Sequence, residues 1–232
     1  MENKKCTVII AAAGNGKRMG TDIPKQFLDI KGKPVLGYTV EAFEKNENID
    51  SIIIVTSAEK IDYCRKEIVE KYSFNKVIKI VEGGSERQFS VYNAIKAIDE
   101  NTDIVLIQDG ARPFIMKEDI DKVIKGVIEN GAAVMAVKSK DTIKVADENG
   151  FVKDTPDRSF IWNIQTPQGF LLPIIKEAYK KAEEDRFIGT DDSMLAERLG
   201  YKVKLIEGHY TNIKITTKDD LWVAKNILEG LK

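Results

Sequence analysis

The feature that most constrains the fold is a regular alternation of short β-branched runs with segments of helical periodicity. This alternation is typical of βαβ units, in which successive strands lie parallel and helices cover the sheet. Several runs are apolar at nearly every position, as expected for strands buried on both faces. We predict strands at 7–12, 51–56, 77–81, 104–107, 133–137 and 202–206, and helices at 35–45, 59–71, 86–98, 118–129, 173–183 and a last one running to about residue 228.

One region departs from this alternation. Residues 138–164 contain no long helical pattern, and two short β-like pieces, 141–145 and 150–154, flank the turn Asp147-Glu148-Asn149-Gly150. Asn-Gly in this setting is a strong hairpin signal. We therefore predict one α/β domain over residues 1–232, with a mainly parallel twisted sheet, helices on both of its faces and an inserted β-arm. A surface hairpin without a role is the alternative interpretation of the arm.

The balance of charge excludes several classes of protein. The 232 residues include 36 Lys+Arg and 37 Asp+Glu, for a net charge of -1. Global charge therefore favours neither nucleic-acid nor membrane-surface binding. With 43% hydrophobic and 31% charged residues, the chain has the composition of a globular protein and not of a disordered one. No apolar run approaches the ~20 residues that span a bilayer, and the N-terminus lacks a signal-peptide pattern, so we expect a cytoplasmic protein.

Cysteine and histidine limit the chemistry further. Cys6 and Cys64 do not have metal-site spacing, and in a cytosolic chain both are expected to be reduced, with Cys6 as a small core residue. His209 is the only histidine. Any catalytic triad or histidine-rich metal site would have to include it. It follows Gly208 near the end of a predicted strand, where we expect a structural role.

A glycine-rich loop follows the first strand and reads Ala11-Ala12-Ala13-Gly14-Asn15-Gly16-Lys17-Arg18-Met19-Gly20. Glycines at the carboxyl end of a strand let the backbone approach a phosphate. Met19 excludes a dinucleotide fingerprint, and Gly16 follows Gly14 too soon for a P-loop. The two loop cations and Lys25 in Pro24-Lys25-Gln26 suit a triphosphate. A surface loop with incidental charges is the alternative.

A carboxylate follows the fourth predicted strand, in Gln108-Asp109-Gly110-Ala111-Arg112-Pro113. At the carboxyl end of a central strand, Asp109 is well placed to hold Mg²⁺ beside phosphates. Arg112 could brace this loop or pair with Asp109. The alternative is that Asp109 only forms a turn.

The junction Gly83-Gly84-Ser85-Glu86-Arg87-Gln88-Phe89-Ser90 follows the third predicted strand. Free N–H groups at such a helix start could contact a base or a ribose. Ser85 and Gln88 have the capping-box pattern, as Thr217 and Asp220 have for the last helix. Capping explains Ser85, which leaves Gly84, Arg87 and Ser90 as functional candidates.

Three further polar segments are ambiguous. Residues 165–168 and 190–192 lie in apparent loops, although Asp191 and Asp192 could start a helix. Lys214 alternates with apolar neighbours in Asn212-Ile213-Lys214-Ile215-Thr216, so it either reaches solvent or points into a polar site.

In combination these segments resemble the bacterial 2-C-methyl-D-erythritol 4-phosphate cytidylyltransferase family of the non-mevalonate isoprenoid pathway. The resemblance covers nearly the whole chain, from Ala11 to Ile227. It is carried by the glycine-rich loop, Pro24-Lys25-Gln26, Asp109-Gly110-Ala111-Arg112-Pro113, Asp141-Thr142-Ile143-Lys144, Gln165-Thr166-Pro167-Gln168, Thr190-Asp191-Asp192 and Asn212-Ile213-Lys214-Ile215-Thr216.

The ribitol-5-phosphate cytidylyltransferase family is the alternative to weigh. It shares the fold, Pro-Lys-Gln and Gln-Thr-Pro-Gln, but typically has Ala-Gly-Gly in the first loop and Asp-Ser-Val-Arg-Pro after the fourth strand. Here Ala12-Ala13-Gly14, Asp109-Gly110-Ala111-Arg112-Pro113 and Trp162 ahead of Gln165 favour the erythritol family. Gln108 departs from the histidine that this family often has.

The resemblance implies a Rossmann-like nucleotidyltransferase fold, a homodimer joined through the β-arm, and dependence on Mg²⁺. It also implies that CTP and 2-C-methyl-D-erythritol 4-phosphate give 4-diphosphocytidyl-2-C-methyl-D-erythritol and pyrophosphate. A phosphate monoester is already nucleophilic at neutral pH, so the reaction needs positioning and charge neutralisation and no general base. This suits a chain with one histidine.

Roles for individual residues follow from the residues together with the resemblance. We expect Arg18, Lys25 and, by resemblance, Lys214 to be the catalytic cations, Asp109 to bind the metal, and Arg112 to position the loop. The predicted nucleotide-binding residues are Ala12, Ala13, Gly14, Gly16, Gly84, Arg87, Ser90 and Gly110. The predicted polyol-phosphate residues are Thr142, Arg158, Thr166, Thr190 and Asp191. A non-catalytic nucleotide-binding module is the remaining alternative, and the presence of Arg18, Lys25, Asp109 and Lys214 argues against it.

Overall fold

A computed structural model describes residues 4–14 and 23–230. In these residues the strands are β1 (Cys6–Ala11), β2 (Asp29–Ile30), β3 (Lys33–Pro34), β4 (Ser51–Thr56), β5 (Val77–Glu82), β6 (Ile104–Asp109), β7 (Ala132–Lys138), β8 (Val145–Ala146), β9 (Val152–Asp154), β10 (Trp162–Leu171) and β11 (Lys204–Glu207). The central sheet has the strand order β11-β7-β10-β6-β1-β4-β5. Its strands pair in parallel except for β10, which is antiparallel to both β6 and β7.

Helices cover both faces of this sheet. They are α1 (Val35–Glu44), α2 (Ile61–Tyr63), α3 (Arg87–Lys96), α4 (Lys117–Asn130), α5 (Leu172–Glu184), α6 (Asp192–Arg198) and α7 (Lys218–Gly230). Along β1, Val8 and Ile10 pack with the helical layer that contains α1 and α4, whereas Ile9 packs with α3 and α5. This alternation confirms the predicted fold class. No helix in the described ranges is long and apolar enough to cross a membrane.

Most predicted elements are confirmed with end shifts of one or two residues, and β4 has the predicted bounds. The prediction of a single helix at residues 59–71 is wrong. They form a 3-10 turn (Ala58–Lys60), the short α2 and a π-helical segment (Cys64–Glu70). Cys64 and Ile68 are both fully buried there. The apolar pattern therefore predicts correctly which face is buried, but it does not predict whether the helix is α, 3-10 or π.

The prediction of a loop at residues 165–168 is wrong, because these residues lie inside β10. Their polar side chains are buried in the sheet and find partners there. Thr166 Oγ1 accepts the backbone N–H of Asp109 at 3.0 Å. Gln168 Oε1 accepts the backbone N–H groups of Asp192 and Ser193 at the start of α6.

The predicted β-arm is confirmed as an insertion between the end of β7 and the start of β10. Its hairpin is shorter than predicted, because only β8 and β9 pair. Gly150 has φ +85° in the turn, a conformation that favours glycine. Phe151, Val152 and Phe160 are 72%, 62% and 80% exposed, so the arm presents apolar side chains to solvent.

One of the two predicted capping boxes forms. Asp220 accepts the backbone N–H groups of Thr216 and Thr217, and its own N–H donates to Thr217 Oγ1 at the start of α7. The box at Ser85 is wrong, because α3 begins at Arg87 without a side-chain capping bond. Gln88 instead donates to the carbonyl of Phe187 and accepts the N–H of Gly189. Its tertiary contacts replace the local cap.

Candidate active site

A cleft of about 520 Å³ opens at the carboxyl ends of β1, β5 and β6. This is the edge at which parallel α/β sheets bind ligands. It brings together many residues that are far apart in the chain. The predicted site residues that line it are Ala12, Ala13, Gly14, Lys25, Gly84, Arg87, Ser90, Asp109, Gly110 and Lys214. Gly16 and Arg18 lie outside the described residues.

Gln26 holds the first part of the glycine-rich loop. Its side chain is buried, and Nε2 donates to the carbonyl of Ala12 at 2.7 Å and to that of Gly14 at 2.9 Å. Gln26 follows Lys25 in a short 3-10 turn (Lys25–Phe27) that lies against the cleft. The local sequence around Gln26 does not indicate this role. Its place beside Lys25 in a motif was the only available signal.

The junction after β5 is packed closely against this loop. A Cβ at Gly83 would lie 2.5 Å from Ala13 Cβ and 2.9 Å from Ser90 Oγ, so a side chain there would displace the loop. Two of the N–H groups in this junction are engaged. Gly83 N donates to the carbonyl of Thr56, and Gly84 N donates to Ser90 Oγ. These glycines therefore permit close approach of two chain segments.

Asp109 lines the cleft and pairs with two cations. Lys214 Nζ is 2.7 Å from Oδ2, and Arg87 Nε donates to Oδ1 at 3.2 Å. Burial raises the pKa of this carboxyl, but the charges of Arg87, Lys214 and Arg112 outweigh burial and hold the pKa well below its ordinary value. Asp109 is therefore ionised near neutral pH. Lys214 points into a polar site, the second of the two alternatives left open by its sequence context.

Arg112 connects the Asp109 turn to the segment that carries Lys214. Its Nη1 donates to the carbonyl of Asn212 at 2.7 Å, and its Nε lies 3.7 Å from Asp109 Oδ2. Asn212 in turn donates from Nδ2 to Gln165 Oε1 and to the carbonyl of Thr166. The buried polar residues of β10 therefore fix the position of both Asp109 and Lys214. Nothing in the local sequence distinguishes Asn212 from the other residues of its motif.

A second carboxylate lies behind the cleft. Asp192 is fully buried and receives two hydrogen bonds from Arg87, from Nη1 at 2.8 Å and from Nη2 at 2.7 Å. Burial lowers the pKa of Arg87, but the carboxylates of Asp192 and Asp109 outweigh burial and raise it well above its ordinary value. Asp191, predicted to bind substrate, caps α6 through the N–H of Met194 at 2.9 Å.

The remaining predicted substrate residues do not line this cleft within the described chain. Thr142 and Arg158 are exposed on the arm, where Arg158 Nη1 donates to the carbonyl of Lys140. Thr190 is exposed before α6. His209 pairs with the buried Asp119 at 2.6 Å and does not line the cleft either.

The donor set around Asp109 restricts how a metal could bind. In residues 4–14 and 23–230 no group of three or more His, Cys, Asp or Glu side chains could hold a metal ion. Mg²⁺ is commonly held by one or two carboxylates together with substrate phosphates and water. Asp109 lines the cleft together with Lys25, and a carboxylate in that position fits this pattern. The residues thus suit a metal that arrives with a nucleotide.

Residues 6–230 match the sequence profile of the family described as 2-C-methyl-D-erythritol 4-phosphate cytidylyltransferase. The chain belongs to this family. It is 52% identical over 222 residues to the 2-C-methyl-D-erythritol 4-phosphate cytidylyltransferase of Caldanaerobacter subterraneus subsp. tengcongensis, over 96% of this chain and 98% of that protein. It is 47% identical to the Alkaliphilus metalliredigens protein of the same name, over 98% of this chain and 95% of that protein.

Solved structures of this cytidylyltransferase family share the fold. The 4-diphosphocytidyl-2C-methyl-D-erythritol synthase of Anaerococcus prevotii superposes with a TM-score of 0.87 at 38% identity, over 97% of this chain and 99% of that one. The Francisella tularensis 2-C-methyl-D-erythritol 4-phosphate cytidylyltransferase gives 0.80 at 31% identity, over 95% and 98%. These similarities confirm the predicted family and its nucleotidyltransferase fold.

Proposed function

We propose that this chain transfers CMP from CTP to 2-C-methyl-D-erythritol 4-phosphate, a step in the non-mevalonate synthesis of isoprenoid precursors. The products are 4-diphosphocytidyl-2-C-methyl-D-erythritol and pyrophosphate. The observation that carries the proposal is the position of Lys214 and Asp109 in one cleft with Lys25, at the ligand edge of the sheet. A family member that had lost catalysis would have no need to keep these charges together.

The chemistry requires little from a proton-transferring side chain. An oxygen of the polyol phosphate attacks the α-phosphorus of CTP, a new P–O bond forms, and the bond to the β-phosphate oxygen breaks with its electron pair leaving on pyrophosphate. Charge grows on the oxygens of the α-phosphate during this exchange. Lys25, Lys214 and Arg18 are the proposed donors that neutralise it. The attacking phosphate is already ionised near neutral pH, so no general base is needed.

Binding of the nucleotide is proposed to use two neighbouring chain segments that line the cleft. Ala12, Ala13 and Gly14 belong to the glycine-rich loop, and Gly84 and Ser90 to the junction after β5. The small side chains of these segments leave backbone for a pyrimidine ring and its ribose to contact. Gly110, next to Asp109 in the chain, lines the same cleft.

Asp109 is the proposed protein ligand for Mg²⁺, together with the phosphates of CTP. When bound, the ion would neutralise charge on the phosphate oxygens. The low pKa of Asp109 keeps its carboxylate ionised for this task. EDTA should abolish turnover and added MgCl₂ should restore it. Turnover that persists in excess EDTA would contradict the metal requirement.

We further propose a homodimer formed through the β-arm. Exposed Phe151, Val152 and Phe160 give the arm an apolar surface that a second arm could cover. Arg158 and Thr142 are proposed to reach the polyol phosphate of the partner subunit's site. The two cysteines, Cys6 and Cys64, are free and buried, which agrees with action in the reducing cytoplasm.

The substrate assignment is tested by competition. Purified protein with CTP and Mg²⁺ should be offered 2-C-methyl-D-erythritol 4-phosphate and ribitol 5-phosphate side by side, with pyrophosphate release as the readout. We expect preferential turnover of the erythritol phosphate. Equal or faster turnover of ribitol 5-phosphate would favour the ribitol family's activity. Nucleotide binding without pyrophosphate release from any substrate would favour a non-catalytic module.

Shared sites are tested by subunit exchange. Inactive Lys25→Ala and inactive Arg158→Ala proteins are mixed in equal amounts. If the two residues serve one site from different chains, each mixed dimer contains one intact site. Random exchange makes about half of the dimers mixed, so roughly a quarter of native activity should return. No recovery after verified exchange would assign Arg158 to the site of its own subunit.

A further inference from the structure

Asp192 is a buried carboxylate with no part in the proposed transfer. Two donors of Arg87 bind it, and the hydroxyl of Tyr179 donates to the same carboxylate. The Nε–H of Arg87 donates to Asp109 Oδ1 at 3.2 Å. One arginine therefore links a fully buried carboxylate to the carboxylate of Asp109, which lines the cleft.

The two ends of this link differ in how firmly they are held. Asp192 is fixed by the fold, because it begins α6 and its backbone N–H donates to Gln168 in β10. Burial and the charge of Asp192 raise the pKa of Tyr179 well above its ordinary value, so the phenol stays protonated and donates. The side chain of Arg87, by contrast, is 33% exposed toward the cleft.

The geometry of a guanidinium makes the link directional. Its donors lie in one plane in a rigid fork, so two hydrogen bonds to a fixed carboxylate define that plane. Once the plane is defined, the direction of Nε is defined as well. Asp192 therefore orients Arg87, and Arg87 orients Asp109, whose other oxygen holds Lys214 at 2.7 Å.

We propose that Asp192 is a positioning residue for nucleotidyl transfer, acting through Arg87 to hold Asp109 and Lys214 in their working arrangement. This inference rests on the proposed function. It assigns to Arg87 a role that differs from the predicted nucleotide contact. Loss of a direct contact would raise the KM for CTP, whereas loss of positioning would lower kcat.

The test compares native enzyme with Asp192→Asn, Arg87→Lys and the double variant. Asp119→Asn is the matched control. Asp119 is also a buried carboxylate, paired with Lys122 and His209, and it does not line the cleft. Pyrophosphate release gives kcat and the KM for CTP, and thermal melts report stability.

We expect Asp192→Asn and Arg87→Lys each to lower kcat by about 10- to 100-fold, the scale for a small misplacement of catalytic groups. The KM for CTP should stay within about threefold. The double variant should be no more than about threefold worse than the poorer single variant, because both changes break one link. Asp119→Asn should keep kcat within about twofold even if it melts at a lower temperature.

Three results would overturn the proposal. They are a native kcat in Asp192→Asn, multiplicative losses in the double variant, and a raised KM for CTP with unchanged kcat. If Asp192→Asn does not fold, the kcat of Arg87→Lys is the test, because this variant keeps the positive charge and changes Arg87, which is more exposed than Asp192. A native kcat in Arg87→Lys would then overturn the proposal. Failure of the proposed function would appear in the native protein as no turnover, whereas failure of this inference appears only in the ratio of variant to native kcat.

Discussion

Gln26→Glu tests how the glycine-rich loop is held. The side chain is 3% exposed, and Nε2 donates to the carbonyls of Ala12 at 2.7 Å and Gly14 at 2.9 Å. The substitution keeps the size of the side chain but replaces both donors with an oxygen. Two hydrogen bonds are lost, each worth about 0.5–1.5 kcal/mol net. The introduced carboxyl group is also buried against two carbonyl oxygens, which adds a desolvation penalty.

We expect the free energy of unfolding to fall by about 2–4 kcal/mol, which lowers Tm by roughly 5–15 °C in a chain of this size. The carbonyls of Ala12 and Gly14 should move away from the new oxygen. A displacement on the order of 1 Å in a positioned site costs roughly 10²-fold in rate, so kcat should fall by that amount. Gln26→Met is the comparison variant, because it removes both donors without adding an acceptor. It should lose about half as much stability.

Thermal melts and pyrophosphate release measure the two effects. Burial raises the pKa of the introduced carboxyl above its unfolded value of about 4.3. The folded form then binds the proton more tightly, so stability is best retained below that pH and is lost as pH rises through the folded pKa. A Gln26→Glu protein that melts within about 2 °C of native and keeps kcat within about twofold would refute the role of these two bonds.

Three further changes test the rest of the cleft. Asp109→Asn should lower the free energy of unfolding by about 2–3 kcal/mol, less than the ~3–5 kcal/mol for breaking a fully buried pair, because two of its cationic partners, Arg87 and Lys214, are partly exposed. Because the pKa of Asp109 is lowered, the loss of unfolding free energy should be constant above about pH 5 and should shrink only in strong acid. A loss that varies near pH 7 would contradict this prediction. Lys25→Ala should lower kcat by about 10²-fold with a smaller change in the KM for CTP, and a near-native kcat would remove Lys25 from the mechanism. Gly83→Ala should cost about 1–3 kcal/mol and weaken CTP binding, because its Cβ would lie 2.5 Å from Ala13 Cβ. Gly230→Ala, where a Cβ meets nothing within 4 Å, is the control that should be tolerated.

Within the described residues, β10 is the one strand of the central sheet that sequence patterns did not predict, and its chemistry explains why. A strand is recognised by apolar alternation and by the absence of proline. Here Gln165, Thr166 and Gln168 are buried, and Pro167 lies between them. These polar groups are stable in the sheet only because they bind Asn212, the Asp109 turn and the start of α6. Those partners are distant in sequence, so no local window contains the reason for the strand.

The site could be predicted in part for a related physical reason. Residues at the carboxyl ends of strands converge on one edge of a parallel sheet, which is why Gly14, Gly84 and Asp109 could be grouped from the sequence. Lys214 could not be oriented, because its alternating pattern fits solvent and cleft equally well. Only the contact of Lys214 with Asp109 in the structure shows that the lysine side chain faces the cleft. The sequence context of Asp192 is that of an ordinary first-turn acid. Only its bidentate pairing with Arg87 in the structure distinguishes it.

The charges of the cleft bear directly on the proposed metal. The ion-paired cluster around Asp109 contains the cations Arg87, Arg112 and Lys214 and the carboxylates Asp109 and Asp192, which leaves one positive charge. A nucleoside triphosphate brings about four negative charges. Lys25, Lys17 and Arg18 would compensate about three more of them, but Glu59, Glu82 and Glu86 on the cleft wall add three negative charges. The side chains therefore leave a bound triphosphate under-neutralised, and the attacking phosphate increases the deficit. A divalent cation held by Asp109 together with the phosphates would supply the missing positive charge.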